Sequence, residues 1–140
     1  MIHQVKTIWK ENMAFESQIG NHTVRMDAAA PLGDDSGSSP KKLLLASLAG
    51  CTGMDVVSLL KKMRVPFTNF EMDIDADLTE EHPKVYSEIR IKYRVFGTNL
   101  NKEKVNKAIN LSKEKYCGVS AMLEKNSPIV YIIEYVEEAN

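Results

Sequence analysis

The stretch that decides the fold is SPKKLLLASLAGCTGMDVV, residues 39–57. Ser39 can cap a helix, and Pro40 suits the first helical position, where its missing N–H costs nothing. The apolar character extends further, because residues 43–60 contain no Lys, Arg or Glu. A helix that is apolar nearly all round must be covered on every side. The sequence therefore predicts a central buried helix that runs toward Arg64.

A membrane span is the alternative to a central helix. Residues 43–60 approach the length of about 20 apolar residues that crosses a bilayer. They include Gly50, Gly53 and Asp55, however, and amphipathic segments surround them. A buried helix is therefore the favoured interpretation. The N-terminus lacks a basic flank followed by an apolar run, so no signal peptide is expected and the location is predicted to be cytoplasmic.

The clearest amphipathic pattern lies in residues 70–95. From Phe70 to Leu78, apolar residues alternate with acidic ones, which predicts a half-buried strand with an acidic outer face. Residues 85–95 alternate in the same way, with an outer face that is mostly basic. If the two strands pair as a hairpin, their outer faces attract each other across the sheet.

The rest of the chain supplies further strands and a second helix. Residues 1–27 read as three strands of an antiparallel meander, and residues 129–136 read as a final strand. Asn101 can cap a helix that extends through Lys115. The order of elements predicts one α+β domain over residues 1–140. One face of the second helix carries apolar or small residues at helical spacing: Val105, Ala108, Ile109 and Ser112.

Composition excludes some classes of partner. The hydrophobic fraction is 44% and the charged fraction 26%, both ordinary for a globular protein. The net charge is -1, so no global field draws the chain to nucleic acid or to an anionic membrane. No nucleic-acid or membrane partner is expected.

The two cysteines, Cys51 and Cys117, are the candidates for chemistry. A permanent disulfide is not expected in a reducing compartment, and two thiols alone cannot complete a tetrahedral zinc site. They are therefore either inert core residues or a redox pair. Asp55 lies four residues after Cys51, on the same helix face, and its burial requires an Arg, a Lys or backbone donors as partners.

A thiolate at Cys51 needs a positive neighbour, because the charge of Asp55 raises a nearby thiol pKa. The local candidates are Arg25, Lys41, Lys42 and Arg64. Cys117 lies where one helix ends and a short one begins, and a helix N-terminus favours a thiolate. Glu114 and Tyr116 adjoin Cys117 and are predicted to shape that end of the site.

Two motifs in this chain resemble those of the OsmC/Ohr family. Residues 39–57 resemble its first-cysteine motif, and KYCGVSAML at residues 115–123 resembles its second. GCTGMDVV at residues 50–57, with EEHP at residues 80–83, resembles the OsmC-like branch. The resemblance implies an α+β fold that forms an intertwined homodimer. Central apolar helices are wrapped by antiparallel sheets, and the active sites lie at the dimer interface.

The resemblance also implies a cysteine-based hydroperoxide reductase with a role in stress response. Cys51 would attack the peroxide as a thiolate and become a sulfenic acid, and Cys117 would resolve it to a disulfide. A dithiol of the lipoyl or thioredoxin type would restore the pair, with no metal or organic cofactor. The apolar surroundings of Cys51 favour organic hydroperoxides over hydrogen peroxide as substrates.

This chain departs from the family at the start of the helix. The better-known branches use an Arg and a Glu to activate the first cysteine, with the Glu shortly after the helix-opening proline. Here Pro40 is followed by Lys41 and Lys42. Two further hypotheses therefore stay open: a redox-responsive or small-ligand-binding protein with little turnover, and a structural dimer with inert core thiols.

Overall fold

The computed structural model describes residues 1–139, which form two compact units divided after Ala46. The first unit contains three strands, β1 (Lys6–Glu11), β2 (Ala14–Ile19) and β3 (His22–Met26). They pair antiparallel in the order β1-β2-β3, as the meander prediction requires.

The loop after β3 is held together by a buried carboxylate. Asp27 is 3% exposed, and it accepts hydrogen bonds from the N–H of Ala28 and from both the N–H and the hydroxyl of Ser36. The hydroxyl of Ser36 contributes most to lowering the pKa of Asp27. These bonds organise the loop that leads into the long helix.

The long helix, α1 (Pro40–Lys62), begins at Pro40 as predicted. Its buried residues form a single stripe at intervals of four: Leu48, Thr52, Val56 and Leu60. Among the residues that the structure describes, α1 is the one helix long and apolar enough to cross a membrane. Only 22% of its most apolar 18-residue stretch is buried within the chain. The prediction that α1 is covered on every side is therefore not met within one chain, since a single sheet covers only one helix face.

The second unit contains the strands β4 (Phe67–Leu78), β5 (Tyr86–Gly97) and β6 (Ile129–Glu137), in the order β4-β5-β6. The pair β4–β5 is the predicted antiparallel hairpin. By contrast, β6 runs parallel to β5, whereas the family resemblance implied antiparallel sheets. Two parallel neighbouring strands need a crossover connection of a dozen or more residues. The helices between β5 and β6 supply that connection, so β6 can pair parallel to β5.

The charged outer face of the hairpin forms as predicted. Arg90 on β5 donates to Asp75 and Asp77 on β4, and Arg94 donates to Asp73. Hydrogen bonds from these arginines are the largest cause of the lowered pKa values of Asp73 and Asp77. The aspartates are exposed and the arginines half-buried, so the pairs remain screened by solvent and add little to stability.

The crossover from β5 to β6 consists of helix α2 (Lys102–Leu111), a π-helical turn (Ser112–Tyr116) and helix α3 (Gly118–Glu124). Asn101 caps α2 as predicted, because its side-chain oxygen accepts the N–H of Lys104 at 3.1 Å. The predicted helix through Lys115 is thus α2 plus the π-helical turn. The four residues predicted for its buried face are all buried: Val105, Ala108, Ile109 and Ser112.

The end of β5 allows a test of the packing in the second unit. A Cβ at Gly97 would lie 2.8 Å from Cδ2 of Leu100 and 2.9 Å from the carbonyl oxygen of Pro66. We expect Gly97→Ala to lower the free energy of unfolding by about 1–3 kcal/mol, as overpacking usually does. Urea denaturation measures this change. Gly118→Ala is the control, because its Cβ would meet no atom within 4 Å. Equal stability of the two variants would contradict the packing described.

Candidate active site

The second unit brings both cysteines and one carboxylate together. Cys51 lies midway along α1, and Cys117 lies at the junction between the π-helical turn and α3. The two sulfur atoms and a carboxylate oxygen of Asp55 all lie within 4.8 Å of one another. Both thiols are free, and they hydrogen-bond to each other. This thiol site is composed entirely of residues from the second unit.

Cys117 occupies a buried position that favours its thiolate. Its sulfur accepts a hydrogen bond from the hydroxyl of Thr52 at 3.3 Å and from the N–H of Ser120 at 3.4 Å, and its side chain caps α3. Burial is the largest single effect and raises the pKa of Cys117, but the hydrogen bonds from Thr52, Ser120 and Cys51 together outweigh it. The net effect is a lowered pKa.

Cys51 is partly exposed and has the opposite shift. A hydrogen bond from the backbone of Val119 is the largest effect and lowers the pKa of Cys51. Partial burial, the hydrogen bond with Cys117 and the negative charges of Cys117 and Asp55 all raise it, and together they prevail. Within one chain, Cys117 is therefore the more acidic thiol and Cys51 the more accessible one.

Asp55 is held by a hydroxyl group. The Oγ of Ser112, the first residue of the π-helical turn, donates to Oδ2 of Asp55 at 3.0 Å. The sequence predicted an Arg, a Lys or backbone donors for this carboxylate, and that prediction is wrong. An Arg is unnecessary because Asp55 is only partly buried, so one hydroxyl supplements its solvation.

Three other predicted site residues, Arg25, Lys41 and Lys42, belong to the first unit. Arg25 belongs to the first unit, where it donates to Glu16 at 2.7 Å and to Ser36 at 2.8 Å. Lys41 and Lys42 are exposed in the first turn of α1, also within the first unit.

Two predicted residues lie in the π-helical turn, next to Cys117. Glu114 and Tyr116 are both exposed. The ammonium group of Lys115 lies 5.4 Å from the centre of the Tyr116 ring. Both residues therefore sit at the surface of the crossover while Cys117, the next residue, turns inward.

An apolar groove of about 470 Å³ lies between α1 and β4. A Cβ at Gly53 would lie 3.3 Å from Sδ of Met72, so Met72 would have to move by a few tenths of an ångström to admit a side chain there. Met54 is 76% exposed and lies three residues after Cys51, on a neighbouring helix face. The groove thus adjoins the thiol site without including the sulfur. Its lining residues are Ala49, Gly50, Gly53, Met54, Val57, Phe70 and Met72.

Comparison with known proteins identifies the family. A sequence profile described as OsmC-like protein matches residues 33–132 of this chain. The chain belongs to the OsmC-like protein family. Protein YhfA of Escherichia coli K12 is 35% identical over 135 residues, which are 95% of this chain and 98% of YhfA.

Solved structures agree with this assignment. A hypothetical protein from Aquifex aeolicus VF5 superimposes on this OsmC-like chain with a TM-score of 0.89 and 29% identity, over 99% of each chain. The organic hydroperoxide resistance protein OhrB of Bacillus subtilis superimposes with a TM-score of 0.68 and 16% identity, over 94% of this chain and 98% of OhrB. At this identity the likeness to OhrB shows the shared fold alone.

Sequence reasoning missed several polar groups that tune the OsmC-like thiol pair. They are the hydroxyl of Thr52, the hydroxyl of Ser112, and the backbone N–H groups of Val119 and Ser120. One signal was available: Ser120 follows Cys117 by three residues, the spacing at which an N-cap side chain meets a backbone N–H. No local pattern pairs Thr52 with Cys117, because the two residues are remote in sequence.

The hydroxyl of Thr52 provides a test of these electrostatics. We expect Thr52→Val to raise the pKa of Cys117, because the change removes a donor that stabilises the thiolate and keeps the side-chain shape. The pH profile of alkylation at Cys117, followed by peptide mass spectrometry, should shift to higher pH. Thr68→Val is the control, since Thr68 is an exposed residue of β4. An unshifted Cys117 profile would show that the hydroxyl does not stabilise the thiolate.

Proposed function

We propose that this OsmC-like protein is a thiol-dependent peroxidase that reduces organic hydroperoxides with Cys51 and Cys117. The observation that carries the proposal is the contact between two free thiols of unequal exposure and acidity. OhrB, which shares the fold, is an organic hydroperoxide resistance protein. The family membership and this contact support the proposal from independent directions.

Exposure favours Cys51 as the sulfur that attacks. Cys117 is 2% exposed, whereas Cys51 is partly exposed, and a peroxide oxygen must reach the attacking sulfur. The raised pKa of Cys51 means that its proton must be removed as the reaction proceeds. The lowered pKa of Cys117 favours its thiolate, and the thiolate, which accepts a hydrogen bond from Cys51, is placed to take that proton.

Peroxide reduction begins with a proton transfer between the two cysteines. The Cys51 thiol transfers its proton to the Cys117 thiolate, and its sulfur attacks the peroxide. The O–O bond breaks, Cys51 becomes a sulfenic acid, and the alkoxide takes the proton from Cys117 to leave as an alcohol. The Cys117 thiolate then attacks the sulfenic sulfur, and with one proton from solvent the hydroxyl leaves as water. A dithiol reduces the resulting disulfide and is itself oxidised.

The apolar groove supports organic hydroperoxides as the preferred substrates. It is lined mainly by apolar side chains, among them the exposed Met54, which lies three residues after Cys51 on α1. An alkyl chain that lies along these residues is removed from water, and hydrogen peroxide has no such chain.

The peroxidase proposal is tested by mass spectrometry. We expect the reduced protein to form a Cys51–Cys117 disulfide promptly with cumene hydroperoxide and more slowly with hydrogen peroxide. With a dithiol present, the protein should consume many equivalents of cumene hydroperoxide. Cys51→Ser should abolish consumption. Cys117→Ser should accumulate a trappable sulfenic acid at Cys51, formed more slowly than in the parent because the acceptor of the Cys51 proton is lost. Thr68→Val should behave like the parent.

Other results would redirect the assignment. A single oxidation with no turnover would favour a redox-responsive protein, the candidate that the presence of Lys41 and Lys42 at the family glutamate position motivates. Two unmodified thiols after long exposure to peroxide would contradict both redox functions and leave a binding or structural protein.

We also propose that the protein is a cytoplasmic homodimer, and the exposed apolar surface of α1 supports the dimer. Only one stripe of this helix is buried within the chain, and Leu44 and Met54 are 46% and 76% exposed. A second copy that covers these faces would give α1 the central position that its composition demands. Sheet-covered α1 helices at a dimer axis also agree with the arrangement that the family resemblance implies.

Solution mass tests the homodimer. Light scattering during size-exclusion chromatography should give twice the mass of one chain, without detergent and across a tenfold dilution, because a buried apolar helix makes a stable interface. A single-chain mass would contradict the homodimer. A requirement for detergent would instead assign the apolar face of α1 to a membrane.

A further inference from the structure

We propose that Cys51, Asp55 and Cys117 together form a binding site for a zinc ion in the reduced protein. Two thiolates and one carboxylate are a donor set that zinc accepts. Two cysteines alone do not complete such a site, and the fold brings Cys117 to the pair formed by Cys51 and Asp55. This inference is independent of the proposed peroxidase activity.

The donor geometry carries the proposal. The two sulfur atoms and the nearest carboxylate oxygen lie within 4.8 Å of one another. Donor atoms on a tetrahedral zinc with Zn–S bonds of about 2.3 Å lie about 3.8 Å apart. The donors therefore need to close by no more than about 1 Å.

Each donor is also oriented by a second contact. The hydroxyl of Ser112 holds one oxygen of Asp55, and Thr52 and Ser120 donate to the sulfur of Cys117. A backbone hydrogen bond from Val119 reaches the sulfur of Cys51. Outer partners of this kind orient metal ligands and stabilise them in their charged forms.

The chemistry of the donors selects the metal. Thiolates are soft ligands that favour Zn²⁺ and similar thiophilic ions over Mg²⁺ and Ca²⁺, which take oxygen ligands. Zinc binding would release the proton of Cys51, and the charge of the cation would offset the repulsion among the three negative donors. The three protein ligands leave the fourth zinc position for water. Because both sulfurs serve as ligands, bound zinc would prevent the dithiol from reacting.

Zinc titration of the reduced full-length protein tests this site. We expect one Zn²⁺ to bind per chain in competition with a colorimetric chelator, and Mg²⁺ to leave the titration unchanged. One equivalent of Zn²⁺ should protect both Cys51 and Cys117 of the unaltered protein from alkylation, as peptide mass spectrometry would show. Protection of one cysteine alone, or no protection, would overturn the proposal.

Variants test the role of each donor. Asp55→Asn keeps the side-chain shape, and we expect it to weaken zinc binding by about 10–100-fold, as the loss of a metal partner commonly does. Cys51→Ser and Cys117→Ser should weaken binding at least as much. Asp73→Asn, at an exposed carboxylate on β4, is the control and should bind zinc like the parent. Unchanged affinity in Asp55→Asn, or in either cysteine variant, would overturn the three-donor site.

These outcomes are separate from those of the peroxidase test. Zinc affinity and protection from alkylation are measured without peroxide, so a protein that fails to turn over hydroperoxide can still bind zinc. Conversely, an active peroxidase whose thiols show no zinc protection would leave the peroxidase proposal intact and remove this one.

Discussion

The burial of one stripe of α1 is the constraint on which the rest of the second unit depends. Leu48, Thr52, Val56 and Leu60 recur every four residues, so a single covering layer buries them together. Thr52 brings a hydroxyl into that buried stripe, and the sulfur of Cys117 accepts its hydrogen bond. The same packing that buries the helix therefore fixes the second thiol beside the first.

The thiols differ because their surroundings differ. Cys117 is enclosed by donors, and Cys51 lies at the edge of the buried stripe, next to two negatively charged groups. A buried thiol without donors would be inert, because burial alone raises its pKa. The hydrogen bonds from α1 and α3 reverse this effect at Cys117. The asymmetry gives each sulfur a different part in the proposed chemistry.

The crossover between β5 and β6 places the thiol of Cys117 beside that of Cys51. The parallel pairing of these strands demands a long connection, and that connection contains α2, the π-helical turn and α3. Ser112 begins the π-helical turn and Cys117 follows it, so both residues that contact the α1 site come from this one segment. The wider π-helical turn lies at the functional part of the crossover, a place where such turns are often found.

The sequence by itself determined the elements and the family. The apolar run of α1, the alternation in β4 and β5, and the cap at Asn101 are local patterns, and local patterns specify local structure. The motifs around Cys51 and Cys117 were also readable, because they are contiguous. Which hydroxyl meets which sulfur was decided only by the tertiary structure. Thr52 and Cys117, like Asp55 and Ser112, are remote in sequence, and only the packing of the crossover against α1 brings them within hydrogen-bond distance.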